Sequence, residues 1–258
     1  MKKTLLLVLL LITFGLSSAL RADDDFTKAI VKAKETLKTA MEKYDEKEMI
    51  KARGQFERIL QLKKNTWLVN YYLALCDYHI ATTAMESKDN DKIKKYTQSG
   101  LDLIGKSIIE RDNFSDSYVL KLSLDYNRFQ YEMDKMQSII ADVTADEESA
   151  KKYDPTNPRL YLVKGIATFY TPAAFGGGVD KAQPMLEKSV ELFGLIKNSD
   201  ATLPSWGEET AYAYMALCML DQNKLTEAKT YLDKGLALSP NSKLLTGYVK
   251  KEYDEKAK

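Results

Sequence analysis

The chain contains one histidine, His79, and two cysteines, Cys76 and Cys218. These are the side chains from which nucleophilic and metal-assisted chemistry is most often built. A zinc site with three histidine ligands is excluded by that count, and a histidine-dependent triad has one candidate base. His79 sits between Tyr78 and Ile80 in an apolar helical stretch, so it reads as a packing or surface residue. Cys76 and Cys218 each lie among Leu and Ala, where a thiol packs as a small apolar group. No charged cluster near either cysteine would stabilise a thiolate. Two carboxylate pairs, Glu147-Glu148 and Glu208-Glu209, raise the question of acid–base work on a glycosidic bond. Adjacent residues on a helix diverge by about a third of a turn and do not converge on one bond. Glu208-Glu209 also stands where a helix begins, and negative charge there suits the helix dipole. No catalytic residue, metal ligand set or cofactor site is expected, and an enzymatic function is not supported.

The elements that would position a site are helices. Among 258 residues there are 12 Gly and 6 Pro, and β-branched residues form no sustained alternating runs, so a sheet has no foothold. The final fifty residues have a repeating register. Tyr212, Met215, Ala216 and Met219 share one helix face, and Ala228, Leu232 and Gly235 share a face of the next, with Pro240 ending it. Asp221-Gln222-Asn223 is the polar turn between them.

These spacings resemble the tetratricopeptide repeat (TPR), a 34-residue helix-turn-helix unit with small residues where two helices approach closely. The resemblance implies an all-α, TPR-like superhelical solenoid of about four to five antiparallel helix hairpins, since one hairpin cannot bury its own apolar faces. Degenerate copies lie upstream. Tyr161, Gly165 and Thr168 precede Ala182, Leu186 and Ser189, and Val119, Leu122, Ser123 and Tyr126 precede a helix towards Ala150 and Tyr153. Before these, Gly100, Ile104 and Ser107 follow a helix within 67–83. Ala52, Phe56 and Ile59 follow an amphipathic stretch with Phe26, Ile30, Ala33, Leu37 and Met41 on one face. From about Lys250 the chain reads as frayed.

Residues 1–22 are of another kind. Lys2-Lys3, the apolar run Leu5 to Leu16 and Ser17-Ser18-Ala19 read as a secretory signal peptide, cut after Ala19 or Ala22. The repeat domain then spans 23–258. Loss of Lys2, Lys3 and Arg21 takes the 38 basic residues to 35 against 37 acidic, a formal charge of −2. That balance argues against nucleic acid as a partner. Mixed charge such as Lys43 to Glu48 reads as a solvated helix face.

One loop departs from the repeat. Tyr170 to Asp180 carries Pro172, Phe175 and Gly176-Gly177-Gly178, about five residues more than the usual turn, with Asp180 placed to cap the next helix. Either Phe175 covers the hairpin end while the glycines permit the return, or the loop rims a ligand groove. This loop is similar to a feature of exported bacterial envelope TPR proteins and of the TPR component of tripartite (TRAP-type) transporters.

In TPR proteins helix A lines the concave face. The resemblance therefore places Asn127, Arg128, Arg159, Phe169, Tyr170 and Asp221 on the inner side, with Phe175 on the loop, as candidate partner-binding residues. The inner stripes, such as Leu120 and Leu124 or Leu162 and Ile166, are apolar. They either pack on one another or on a covering segment, or they form a groove for an apolar or extended-peptide ligand. The expected function is a non-enzymatic, periplasmic scaffold for a protein or peptide partner. The alternative is an apolar small-molecule carrier or TRAP-type transporter accessory.

Overall fold

The computed structural model describes residues 24–197 and 200–258; the expected signal peptide lies outside them. Every regular element among the described residues is helical. They form five consecutive hairpins: α1 (24–43) with α2 (Glu46–Leu60), α3 (Thr66–Glu86) with α4 (Asn90–Glu110), and α5 (Ser115–Asn127) with α6 (Met136–Tyr153). Next come α7 (Pro158–Tyr170) with α8 (Val179–Leu195) and α9 (Glu208–Asp221) with α10 (Leu225–Leu238). A π-helical turn, Leu244–Val249, then leads into α11 (Lys250–Lys256).

Local chemistry marks the boundaries. Asp45, Asp89 and Asn157 accept bonds from the main-chain N–H of Glu48, Lys92 and Arg159 and so cap α2, α4 and α7. Pro158 occupies the first turn of α7, where a missing N–H costs nothing. The charged stretch Lys43 to Glu48 is therefore a turn with a cap, not a continuous helix face. Tyr44 takes a left-handed φ of 51° within it.

Small residues set the helix spacing. A Cβ at Gly165 would stand 2.7 Å from Leu186 Cδ2 across the α7–α8 hairpin. One at Gly100 would stand 2.7 Å from Leu124, and one at Gly235 2.9 Å from Leu245. These are the positions where the repeat spacing calls for a small side chain, and each faces a leucine from a neighbouring helix. Ile30, Ala52, Phe56, Tyr71 and Ile104 join the buried cluster of the first two hairpins, while Leu186, Met215, Ala216 and Leu232 join that of the last two.

Three further local expectations are corrected. The chain after Lys250 is helical, because Tyr253 packs on the last cluster and Lys256 Nζ donates 2.7 Å to the Leu220 carbonyl. Asp180 does not cap α8; it lies in the first turn, where its charge suits the dipole. Phe175 does not cover the hairpin end, being 81% exposed.

The superhelix turns far enough for its ends to meet. Ser239 Oγ, just past α10, donates 3.0 Å to Glu42 Oε1 of α1. Lys243 Nζ lies 3.5 Å from Glu86 Oε2 and 5.2 Å from the Tyr44 ring. The first two hairpins and the last one thus share a seam.

Candidate functional site

The concave side is built by α1, α3, α5, α7 and α9, and a strap lies within it. After α8 the chain does not turn directly into α9. Its described residues 200–207 run past the inner residues of the first, second and fourth hairpins. Tyr72 Oη donates 2.6 Å to the Thr202 carbonyl, and Lys34 Nζ donates to those of Ala201 and Leu203. Arg159 Nε donates 2.9 Å to Trp206 O and its Nη2 donates 2.8 Å to Pro204 O. Trp206 Nε1 in turn donates 2.8 Å to Tyr71 Oη. Trp206 packs against the buried clusters of three parts of the solenoid.

The strap has its own local supports. Asp200 Oδ1 accepts from the Thr202 N–H and hydroxyl, which folds the chain into a short Asx turn. Gly207 ends it with φ at 108°, and a Cβ there would meet Leu162 at 2.9 Å. Of the two readings of the apolar inner stripes, the covering segment is the one found. Two openings border the strap: an open hollow of about 230 Å³ lined by Phe114, Asp116, Arg159, Ile196, Leu203 and Pro204, and a narrower crevice of about 40 Å³ between Lys34, Lys38, Tyr72, Leu75, Trp206 and Glu209. The crevice holds a few waters rather than an organic ligand.

Burial shifts the charges here. It lowers the Lys34 ammonium to about 8 and raises the Glu209 carboxyl. His79 lies on the α3 face that carries Tyr72 and Leu75, by its spacing of four residues from Leu75. Its Nε2 is buried without a hydrogen-bond partner, and burial lowers the imidazole to about 4. His79 is therefore neutral at physiological pH.

At the seam the lining is aromatic. Phe169, Tyr170 and Tyr214 meet edge to face with centroids 5.2–6.0 Å apart. The hydroxyls of Tyr170 and Tyr214 are 3.2 Å apart. Tyr44, whose hydroxyl is raised to about 12 chiefly by burial and next by the Glu86 carboxylate, also lies near Tyr170 and Tyr78. Tyr248 interacts similarly with Tyr170. Tyr170 and Tyr248 remain 61% and 52% exposed.

The residues expected at a binding face fall in different places. Phe169 and Tyr170 come together at the seam, and Phe175 projects from the loop that follows them. Gly176 and Gly178 of this loop have φ of 83° and 99°, and a Cβ at Gly177 would stand 2.1 Å from the Thr171 carbonyl oxygen. Arg159 is buried and committed to the strap, with its Nη1 also 3.4 Å from Asp116 Oδ1. Arg128 is bound by Asp125 and Asp142, each at 2.7 Å, and by Glu132 at 2.9 Å. Asn127 is buried beside it with Nδ2 unpartnered, and Asp221 is exposed at the end of α9.

Sequence reasoning missed Lys34, Tyr71 and Tyr72, which bind the strap, Trp206 within it, and Tyr44, Tyr214 and Tyr248 at the seam. One signal was present: the interval from Leu195 to Glu208 is too long for a repeat turn and contains Pro204, Trp206 and Gly207. The groups weighed for chemistry do not converge. Cys76 and Cys218 are separate, buried and free, and burial pushes both thiols up, Cys218 to about 12. Glu147 is tied to Lys151 and Lys164. Among the described residues no three His, Cys, Asp or Glu side chains are grouped as a metal site, and no helix is long and apolar enough to cross a membrane.

No family profile and no curated protein sequence matches the chain. Solved structures do. The HusA haemophore from Porphyromonas gingivalis superposes with a TM-score of 0.63 at 24% identity, covering 77% of this chain and 93% of its own. TTC0263, a thermophilic TPR protein of Thermus thermophilus, superposes with a TM-score of 0.54 at 15% identity, covering 87% and 98%. At these identities the likeness concerns the fold, and it agrees with the repeat spacing and the five hairpins: the chain has a TPR-like helical-repeat fold.

Proposed function

We propose that the protein is a non-enzymatic, exported scaffold of the bacterial envelope that binds a protein partner at the seam between its first and last hairpins. The observation that carries this reading is the exposure of Tyr170 and Tyr248 beside Tyr44 and Tyr214, on a molecule whose concave face is crossed by its own strap. Large aromatic side chains with a polar tip are enriched at protein interfaces and concentrate their binding energy. Phe175, 81% exposed on the loop after Tyr170, extends that apolar surface. The partner is sought by native mass spectrometry of the mature protein taken from its own envelope. Tyr170→Ala and Phe175→Ser are expected to weaken a captured complex about tenfold or more while leaving helicity intact. A complex indifferent to both variants contradicts this placement.

A second reading is favoured by the likeness to a protein described as a haemophore. The same seam would then carry a flat apolar ligand between tyrosine rings, with neutral His79 nearby, as a carrier or transporter accessory. Haemin titration followed in the Soret band separates the two. Stoichiometric binding lost in Tyr170→Ala supports the carrier; no spectral change supports the scaffold.

A further inference from the structure

We infer, resting on the reading of the seam as the docking site for a protein partner, that the group recognised there is a cation. It is a lysine or arginine side chain of the partner, received among the seam tyrosines beside the Glu86 carboxylate, in the place this chain's own Lys243 takes in the free protein.

The seam already holds such a group. Lys243, in the segment after α10, places its Nζ 5.2 Å from the centroid of the Tyr44 ring and 3.5 Å from Glu86 Oε2 at the end of α3. The negative face of an aromatic ring attracts an ammonium, and the carboxylate adds direct Coulomb attraction. A ring from the α1–α2 turn and an acid from the second hairpin thus converge on one positive charge brought by the last hairpin. The side chains of Lys243 and Glu86 are both more than half exposed. Ion pairs as exposed as this are weak, so a competing cation can take the place.

The seam offers more than Lys243 uses. Tyr170 is set in position by edge-to-face contacts with Phe169 and Tyr214 and by a hydroxyl 3.2 Å from that of Tyr214. It and Tyr248 still present their rings to solvent. Burial raises the hydroxyls of Tyr44 and Tyr248, and the carboxylates of Glu86 and Glu252 raise them further, which marks a negative potential along the seam.

That potential decides between classes of partner side chain. An apolar group would cover the rings but strip water from the carboxylates and return nothing to them. An anion would be repelled. A cation satisfies rings and carboxylates together, as Lys243 does on a smaller scale.

The test uses the full mature chain and two probes of similar shape, tetramethylammonium and the neutral 2,2-dimethylpropan-1-ol. Saturation transfer from protein to probe methyls is followed by proton NMR. Tetramethylammonium should receive about fivefold more transfer than the alcohol. Lys243→Ala removes the competing ammonium and should raise that transfer about twofold, while Tyr170→Ala and Glu86→Gln should each lower it about threefold. Equal transfer to the two probes, or no rise in Lys243→Ala, overturns the inference. A complex captured from the envelope separates this inference from the reading beneath it. Weakening by Tyr170→Ala, by Glu86→Gln and by added salt supports both. Weakening by Tyr170→Ala alone keeps the docking site and overturns the cation, and indifference to both variants overturns the two together.

Discussion

The guanidinium of Arg159 lies 5.3 Å from the indole of Trp206 and donates through Nε, at 2.9 Å, to the carbonyl of that same residue. One buried side chain thus holds both the ring and the main chain of the segment that fills the concave face. Asp116 on α5 faces the same guanidinium, so the bond network runs from the third hairpin through the fourth to the strap.

Arg159→Ala should therefore be costly. It strands the carbonyls of Pro204 and Trp206 and leaves Asp116 without its partner, for a loss of about 3–5 kcal/mol of unfolding free energy. Arg159→Lys should recover little of this, since one ammonium cannot reproduce the planar fork. Urea denaturation of the three proteins gives the answer; a loss below about 1 kcal/mol for the alanine variant would mean that the strap is held elsewhere.

His79 makes a pH-dependent contribution whose sign is fixed by burial. Its folded pKa, about 4, lies below the ordinary value of 6.5. The unfolded chain takes up a proton first as pH falls, so the stability present above pH 6.5 is lost progressively towards pH 4. The loss amounts to no more than about 3 kcal/mol. Asp146, pushed up to about 7 by burial, acts in the opposite sense over much of the same range. The measurement is accordingly a difference: stability of wild type minus His79→Phe, at about pH 7, 5.5 and 4. It should fall steadily, and a flat difference contradicts the burial of Nε2.

Two glycines should respond in opposite directions. A Cβ at Gly105 meets nothing within 4 Å in the interior of α4, so Gly105→Ala should raise stability by about 0.5–1 kcal/mol. At Gly177 the new Cβ would overlap the Thr171 carbonyl, and Gly177→Ala should lower stability by about 1–3 kcal/mol through displacement of the loop. Thermal melts of both variants decide, and a melting point for Gly177→Ala equal to the wild type's would show that the loop repacks freely.

The thiols of Cys76 and Cys218 should be silent in the native protein. Both are buried and pushed to high pKa, so neither presents a thiolate near neutral pH. An aromatic disulfide reagent should react with two thiols per chain in denaturant and with fewer than about 0.2 without it. Rapid native reaction would show that α3 or α9 opens locally.

Much of the fold is legible along the chain. Tyr212, Met215, Ala216 and Met219, with Ala228, Leu232 and Gly235, have one register because a helix face repeats every three to four residues, and the same logic put Gly165 and Leu186 on the two helices of an earlier hairpin. The ends of elements were less legible. Asp180 has a capping residue's identity but Gly178 starts the helix, and the chain after Lys250 is polar enough to suggest fraying until Tyr253 finds the last cluster. The binding face was legible only in part. Helical phase places Arg128 and Arg159 on the inner side, but phase says nothing about what lies opposite. Each arginine is consumed by partners supplied from elsewhere: Asp142 for one, the carbonyls of Pro204 and Trp206 for the other.

The sequence by itself determined that the chain is a stack of helical hairpins, because apolar spacing, small residues at helix contacts and turn residues are properties of neighbours along the chain. Only the tertiary structure decided that the stack curves until Glu42 meets Ser239, and that residues 200–207 fill the space so enclosed. The Tyr72–Thr202 bond joins residues 130 apart. The direction in which a solenoid brings such residues together is the sum of small rotations at every hairpin, and no local pattern encodes that sum.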